Sequence, residues 1–276
     1  MTADVLHVIR DGPHPGAVNM SRDARLLDRW RPDQPPVLRL YRWRPPAISY
    51  GFHQRPEDFD HDAIARHGFD LVRRPTGGRA ILHAEELTYS VVGPSPSPLF
   101  GDSLHTCYMR INAALVAFLR DLGCAVEVSA GENRSEQKQA VCFKSAGQHE
   151  IRVEGRKLVG SAQRRGDGRF LQHGSILVGA AHAALLDCLR PHRRGGLDRE
   201  RLLAMTTDLG RLRGRSYTSG EYAGLEDRLA DACARAFGLT PRDVGFADID
   251  AAVGEDRGVD DGTRDDSRTA GLEDQL

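Results

Sequence analysis

The chain has 276 residues, of which 40% are hydrophobic and 28% charged, and its formal net charge is −1. That length suits one large domain or two small ones, and the near-neutral balance gives no long-range electrostatic case for nucleic acid or a membrane surface as a partner. Met1-Thr2-Ala3-Asp4 lacks the basic and apolar segments of a signal peptide, and no apolar run approaches the roughly 18 residues of a transmembrane helix, so a cytoplasmic location is expected.

The cysteines, Cys107, Cys124, Cys142, Cys188 and Cys233, are odd in number and none forms a C-x-x-C pair. Free thiols in a reducing compartment are expected, with no metal site. Four of them fall in runs that read as buried helix or strand, and Cys142 is the exception.

In chain order, Val5–Ile9 reads as a strand and Asp11-Gly12-Pro13 as a turn. Met20, Ala24, Leu27 and Trp30 recur at helical spacing and predict a helix over 17–30. Residues 37–43 and 47–51 are strands set apart by Pro45-Pro46; residues 57–67 are a helix stopped by Gly68. A strand–turn–strand around Gly77-Gly78 follows, then a strand over 87–92. Leu104, Tyr108, Ile111, Leu115, Phe118 and Leu122 mark a long helix over 102–122. Residues 148–153 and 157–164 form a hairpin about Glu154-Gly155, and 170–178 return as a strand interrupted by Gly174. From about residue 181 the pattern turns helical: 183–190, a turn at 201–203, and 221–237. Residues 251–276 are acidic, Gly-rich and poor in large apolar side chains, and are expected to be a disordered tail. The pattern predicts an α+β fold, a mixed or antiparallel sheet flanked by helices, in a single domain over 1–250.

Two stretches carry chemistry. In Arg73-Arg74-Pro75-Thr76-Gly77-Gly78-Arg79-Ala80-Ile81-Leu82-His83 a strand delivers arginines to a glycine turn whose backbone N–H groups can contact a ligand. In Gly155-Arg156-Lys157-Leu158-Val159-Gly160-Ser161-Ala162-Gln163 a single lysine precedes a strand of small residues. From the residues alone, Lys157 is either a solvated hairpin lysine or a cation for developing negative charge, and Cys142 either a core residue or an activated thiol.

These blocks, together with Glu86-Leu87-Thr88-Tyr89-Ser90 and Leu171-Gln172-His173-Gly174-Ser175-Ile176-Leu177, resemble the biotin/lipoate protein ligase and transferase superfamily from about residue 19 to about residue 177. The resemblance is strongest to octanoyl-[acyl-carrier-protein]:protein N-octanoyltransferases and next strongest to lipoate–protein ligases. Arg79 stands where ligases more often have a third glycine, and the segment after residue 180 looks too small for the ligases' accessory domain. Both points favour the transferase.

The resemblance implies a biotin/lipoate ligase-like catalytic domain with Cys142 as acyl-thioester nucleophile and Lys157 as its electrostatic activator. Arg74, Thr76, Gly77, Gly78, Arg79, His83, Gly160, Ser161, Ala162, His173 and Gly174 would bind substrate, with His83 and His173 positioning it rather than moving protons. The implied partners are octanoyl-acyl carrier protein and a lipoyl domain, such as the glycine cleavage H protein or a 2-oxoacid dehydrogenase E2 subunit. No cofactor is implied, whereas an ATP-dependent lipoate–protein ligase would need ATP and Mg²⁺. A non-catalytic lipoyl-domain-binding protein is a third reading. Two departures from the family pattern, Ala84 in place of the usual Asp and Lys144-Ser145-Ala146-Gly147-Gln148-His149-Glu150 after the cysteine, leave acyl length and acceptor domain unassigned.

Overall fold

The computed structural model describes residues 4–129 and 150–249. One compact unit runs to Gly245; of the second, from Phe246 onward, residues 246–249 are described. Cys142 and the tail over 251–276 lie outside the described residues.

The strands are β1 (Val5–His14), β2 (Val37–Trp43), β3 (Ala47–Tyr50), β4 (Asp70–Arg73), β5 (Ile81–His83), β6 (Glu86–Pro94), β7 (Val126–Val128), β8 (Ile151–Val153), β9 (Arg156–Gly166), β10 (Arg169–Leu177) and β11 (Thr240–Asp243). The helices are α1 (Gly16–Arg29), α2 (His61–His67), α3 (Leu104–Asp121), α4 (Pro191–Arg194), α5 (Arg199–Met205), α6 (Leu209–Arg213) and α7 (Glu221–Phe237). Among the described residues, eight strands form one sheet in the order β11-β1-β2-β6-β10-β9-β8-β7, and β4-β3-β5 form a second. The sheets are mixed: β11–β1, β1–β2 and β3–β4 are parallel and the other pairs antiparallel.

Local chemistry explains most boundaries. Ser103 and Thr106 form a reciprocal capping box that starts α3. Asp60 caps α2 by accepting from the Ala63 N–H, and Gly68, at φ 66°, ends it in the left-handed conformation. Glu154 and Gly155 both have positive φ, as the two-residue turn between β8 and β9 requires.

Three expectations are corrected. Asp11-Gly12-Pro13 is not a turn: β1 continues through it with a bulge between Arg10 and Gly12, which Gly12 permits at φ 69°. The run over 57–67 divides into a short 3-10 turn (Pro56–Asp58) and α2, because Phe59 between them bridges to Leu189. Residues 181–188 wind as a 3-10 segment rather than an α-helix. The strand–turn–strand around Gly77-Gly78 is present as β4 and β5, which lie on opposite sides of β3, so the loop between them passes over the end of that strand. β11 escaped notice because Thr-Pro-Arg-Asp is exposed throughout and has no apolar alternation.

The core joins the large sheet to α3 and α7, which pack on each other; Ile111, Leu115, Phe118 and Leu229 are fully buried there. Phe118→Ala is therefore expected to destabilise the fold by about 3–5 kcal/mol, measured by urea unfolding. A loss below about 1 kcal/mol would mean the α3 face is not part of this core.

Candidate active site

The two sheets enclose an apolar cavity of about 60 Å³. Its walls come from α1 (Met20), β2 (Tyr41, Trp43), β3 (Ser49), the β4–β5 loop, β5 (Ile81, His83), β6 (Thr88), β9 and β10. Strand register explains why these residues meet. Arg39, Ser90, His173 and Ala162 are aligned partners across β2, β6, β10 and β9, and so are Tyr41, Thr88, Ser175 and Gly160. These two rows are two residues apart on every strand and so face the same side.

The row between them, Leu40, Tyr89, Gly174 and Ser161, faces the other way. The Ser161 hydroxyl bonds the Tyr89 hydroxyl at 2.7 Å on that opposite face, so Ser161 and Gly174 serve the cavity through backbone. A Cβ on Gly174 would sit 2.7 Å from the Gly160 carbonyl oxygen and 2.7 Å from the Ser161 Oγ, so only glycine allows this packing.

A buried ion pair lies under the first row. Asp23, on α1, accepts from Arg39 (2.7 Å), Ser90 (2.9 Å), Tyr41 (2.9 Å) and His173 Nδ1 (3.0 Å). Asp23 and Arg39 are both 0% exposed. Burial alone would raise the Asp23 pKa, but the Arg39 charge and the His173 hydrogen bond bring it down to about 2. His173, whose Nε2 meets Thr76 Oγ1 at 2.6 Å, is held below its ordinary pKa by desolvation.

His83 sits in a second array. Its Nδ1 meets Glu86 Oε1 at 2.7 Å, its Nε2 meets Ser49 Oγ at 2.7 Å, and its ring stacks on Trp43 with centroids 4.0 Å apart. Glu86 also accepts from Thr88 and from Ser175.

The Thr-Gly-Gly loop is held from within. Arg74 donates to the carbonyls of Gly77 (2.8 Å), Arg79 (2.7 Å) and Ser49 (2.9 Å), so its guanidinium shapes the loop. Gly78 adopts φ 89°, and its carbonyl oxygen lies so near Gly51 that a Cβ there would approach it to 1.9 Å.

Of the residues singled out by sequence, Arg74, Gly78, Arg79, His83, Gly160, Ser161, Ala162, His173 and Gly174 line this one cavity. Thr76 and Gly77 support the wall through His173 and Arg74. Lys157 is not a solvated turn residue: it is buried, its ammonium bonds Glu150, and its Cε would lie 3.3 Å from a Cβ on Gly160. Glycine at 160 thus makes room for the lysine next to the cavity wall. Cys107, Cys124, Cys188 and Cys233 are buried free thiols whose pKa values desolvation raises, to about 12 for Cys107 and Cys233 and about 11 for Cys188. They stay protonated and are poor nucleophiles.

Sequence reasoning missed Asp23, Arg39, Ser49, Glu86 and Glu150 as parts of this site. A signal existed: a lone Arg between Leu38 and Leu40, and polar residues alternating with apolar ones at Glu86, Thr88 and Ser90, put polar groups on a buried strand face.

Arg39→Met leaves Asp23 buried without its main cation, and a loss of about 3–5 kcal/mol is expected. Both His173 and Asp23 have folded-state pKa values below their ordinary ones, so the unfolded chain binds more protons and stability must fall as pH drops. The loss begins below 6.5 for His173 and continues from 3.8 toward about 2 for Asp23. In Arg39→Met the burial of Asp23 is no longer offset by the Arg39 charge, so its folded-state pKa rises and the second loss shrinks. Urea unfolding across pH checks this, and an unchanged profile would show that Arg39 does not hold the Asp23 charge.

Known proteins resemble this chain in sequence and in fold. The chain is 44% identical over 182 residues to the octanoyltransferase LipM of Moorella thermoacetica, covering 64% of this chain and 67% of that one. It is 38% identical over 243 residues to the octanoyltransferase LipM of Symbiobacterium thermophilum, covering 83% and 85%. Its fold matches lipoate-protein ligase A bound with ATP (TM-score 0.68, 21% identity, covering 92% and 94%) and the bi-partite lipoate protein ligase of Thermoplasma acidophilum (TM-score 0.66, 20% identity, covering 92% and 91%). The lipoyl protein ligase A/B catalytic domain model matches residues 15–201, and the chain belongs to that family.

Proposed function

We propose that this chain is an acyltransferase that moves an octanoyl group from octanoyl-acyl carrier protein to one lysine of a lipoyl domain, with Cys142 carrying the acyl group between them. The observation that carries this reading is the burial of Lys157 against Gly160 in the wall of an apolar cavity. Held there by Glu150, its ammonium is positioned to stabilise a nearby thiolate or a developing oxyanion. The names of the relatives supply the octanoyl group.

In the first step the Cys142 thiolate attacks the thioester carbonyl carbon, the new C–S bond forms, and the carrier sulfur leaves as a thiolate that takes up a proton. Lys157 favours the Cys142 thiolate over the thiol and offsets charge on the carbonyl oxygen as it develops. In the second step the lysine amine attacks the acyl-enzyme, the amide forms, and Cys142 is released. The octanoyl tail lies in the cavity among Met20, Trp43 and Ile81, whose apolar surface favours it over water. The substrate is already activated as a thioester, so the reaction uses neither ATP nor a metal ion.

Intact mass after mixing with octanoyl-acyl carrier protein, in the absence of ATP, tests the reading. A hydroxylamine-labile octanoyl adduct is expected on the native chain and none on Cys142→Ser. Lys157→Ala should slow adduct formation by about 10²–10³-fold, the scale of losing one electrostatic stabiliser. Absence of the adduct, with lipoyl-domain modification from free lipoate only when ATP and Mg²⁺ are added, would make the chain a ligase.

A further inference from the structure

The cavity is flanked by two arrays of the same chemistry, each a hydroxyl, an imidazole and a carboxylate in line. They are Thr76–His173–Asp23 and Ser49–His83–Glu86. What separates them is charge balance. Asp23 is already neutralised by Arg39, also 0% exposed, so a second positive charge on His173 would have little to meet. Among the described residues, Glu86 has no cationic partner except His83, and it is 4% exposed. A buried carboxylate supported only by neutral donors from Thr88 and Ser175 stabilises a proton arriving on the imidazole it touches. Ser49 and His83 both line the cavity, whereas Thr76 does not.

Hydrogen-bond partners fix the resting tautomer. Glu86 accepts, so His83 Nδ1 carries the hydrogen. Arg74 donates to Ser49 Oγ at 3.3 Å, which leaves the Ser49 hydrogen for His83 Nε2. Trp43 packed flat on the ring holds this alignment. Around His83 lie Glu86 from β6, Arg74 next to β4 through its contact with Ser49, and His173 from β10, and His83 shares a second pocket with Arg42, Arg44 and Glu85. Burial lowers the pKa of both His173 and His182.

We propose that Ser49, His83 and Glu86 form the proton acceptor of the second half-reaction, separate from the Cys142–Lys157 pair that loads the acyl group. Resting on the acyl-enzyme reading above, the step begins with the acceptor lysine as a free amine. As its nitrogen bonds to the thioester carbon, one N–H proton passes to Ser49 Oγ and the Ser49 proton passes to His83 Nε2. The C–S bond to Cys142 then breaks, and the imidazolium, held by Glu86, returns its proton to the departing thiolate.

The experiment separates loading from discharge. Octanoyl-enzyme is prepared from the native chain, His83→Gln, Glu86→Gln and Ser49→Ala, and its loss is followed by intact mass against two acceptors, a lipoyl domain and hydroxylamine. Removing a general base should slow lysine acylation by about 10²-fold and flatten its dependence on pH. Hydroxylamine, unprotonated and strongly nucleophilic at neutral pH, should discharge native and variant enzymes alike. Discharge to lysine at the native rate and pH profile, with loading intact, would overturn the inference and leave the acyl-enzyme standing. Equal slowing toward both acceptors would also overturn it, because the array then only shapes the cavity. Failure of the native chain to load at all would remove the acyl-enzyme reading, and this inference with it. Glu86→Gln is nearly isosteric and supplies the decisive comparison should His83→Gln not fold.

Discussion

The buried contact between Asp23 and Arg39 ties the site together. It fastens α1 to the middle of the large sheet, and Ser90, Tyr41 and His173 add hydrogen bonds from β6, β2 and β10. Removing two charges from water is unfavourable unless every lone pair and N–H finds a partner. Arg39 meets that demand through Asp11 and Asn19 as well as Asp23. Such a pair adds little stability beyond what an apolar pair of the same volume would give, but it tolerates few geometries. It therefore sets where α1 lies and which way His173 points.

Above that anchor the cavity is made by backbone fit. Gly51 and Gly78 let the β4–β5 loop lie on the end of β3, and Gly174 lets β10 pass beneath Tyr89. Arg74 then fixes the loop from its concave side by donating to three carbonyls. Polar side chains enter the cavity only where a partner satisfies them, as Thr88 is placed by both Trp43 and Glu86. The remaining surface is apolar and suits a hydrocarbon tail.

Two similar histidine arrays with unlike charge balance show how one fold can give the same residue type different tasks. His173 is a strut in a compensated network, while His83 faces a carboxylate that, among the described residues, pairs with no Lys or Arg. Lys157 follows the same logic with the signs exchanged. Its ammonium is buried against Glu150, which Arg152 also contacts at 3.3 Å, and its carbonyl accepts from Thr207. It is part of the folded frame and is held in place rather than waving in solvent.

The sequence alone determined the elements whose causes are local. Helical periodicity placed α1, α3 and α7, the Glu154-Gly155 turn placed the β8–β9 hairpin, and the glycine and lysine blocks marked most of the residues that line the cavity. Tertiary structure decided what depends on distant partners. The insertion of β3 between β4 and β5, the pairing of β11 with β1, and the burial of Lys157 follow from which strand edge or carboxylate lies nearby, and no short-range pattern encodes that. The same holds for Asp23, Arg39, Ser49 and Glu86. Each is an ordinary polar residue in its own segment, and only the register of β2, β6 and β10 and the seating of α1 and β3 bring it to its partner.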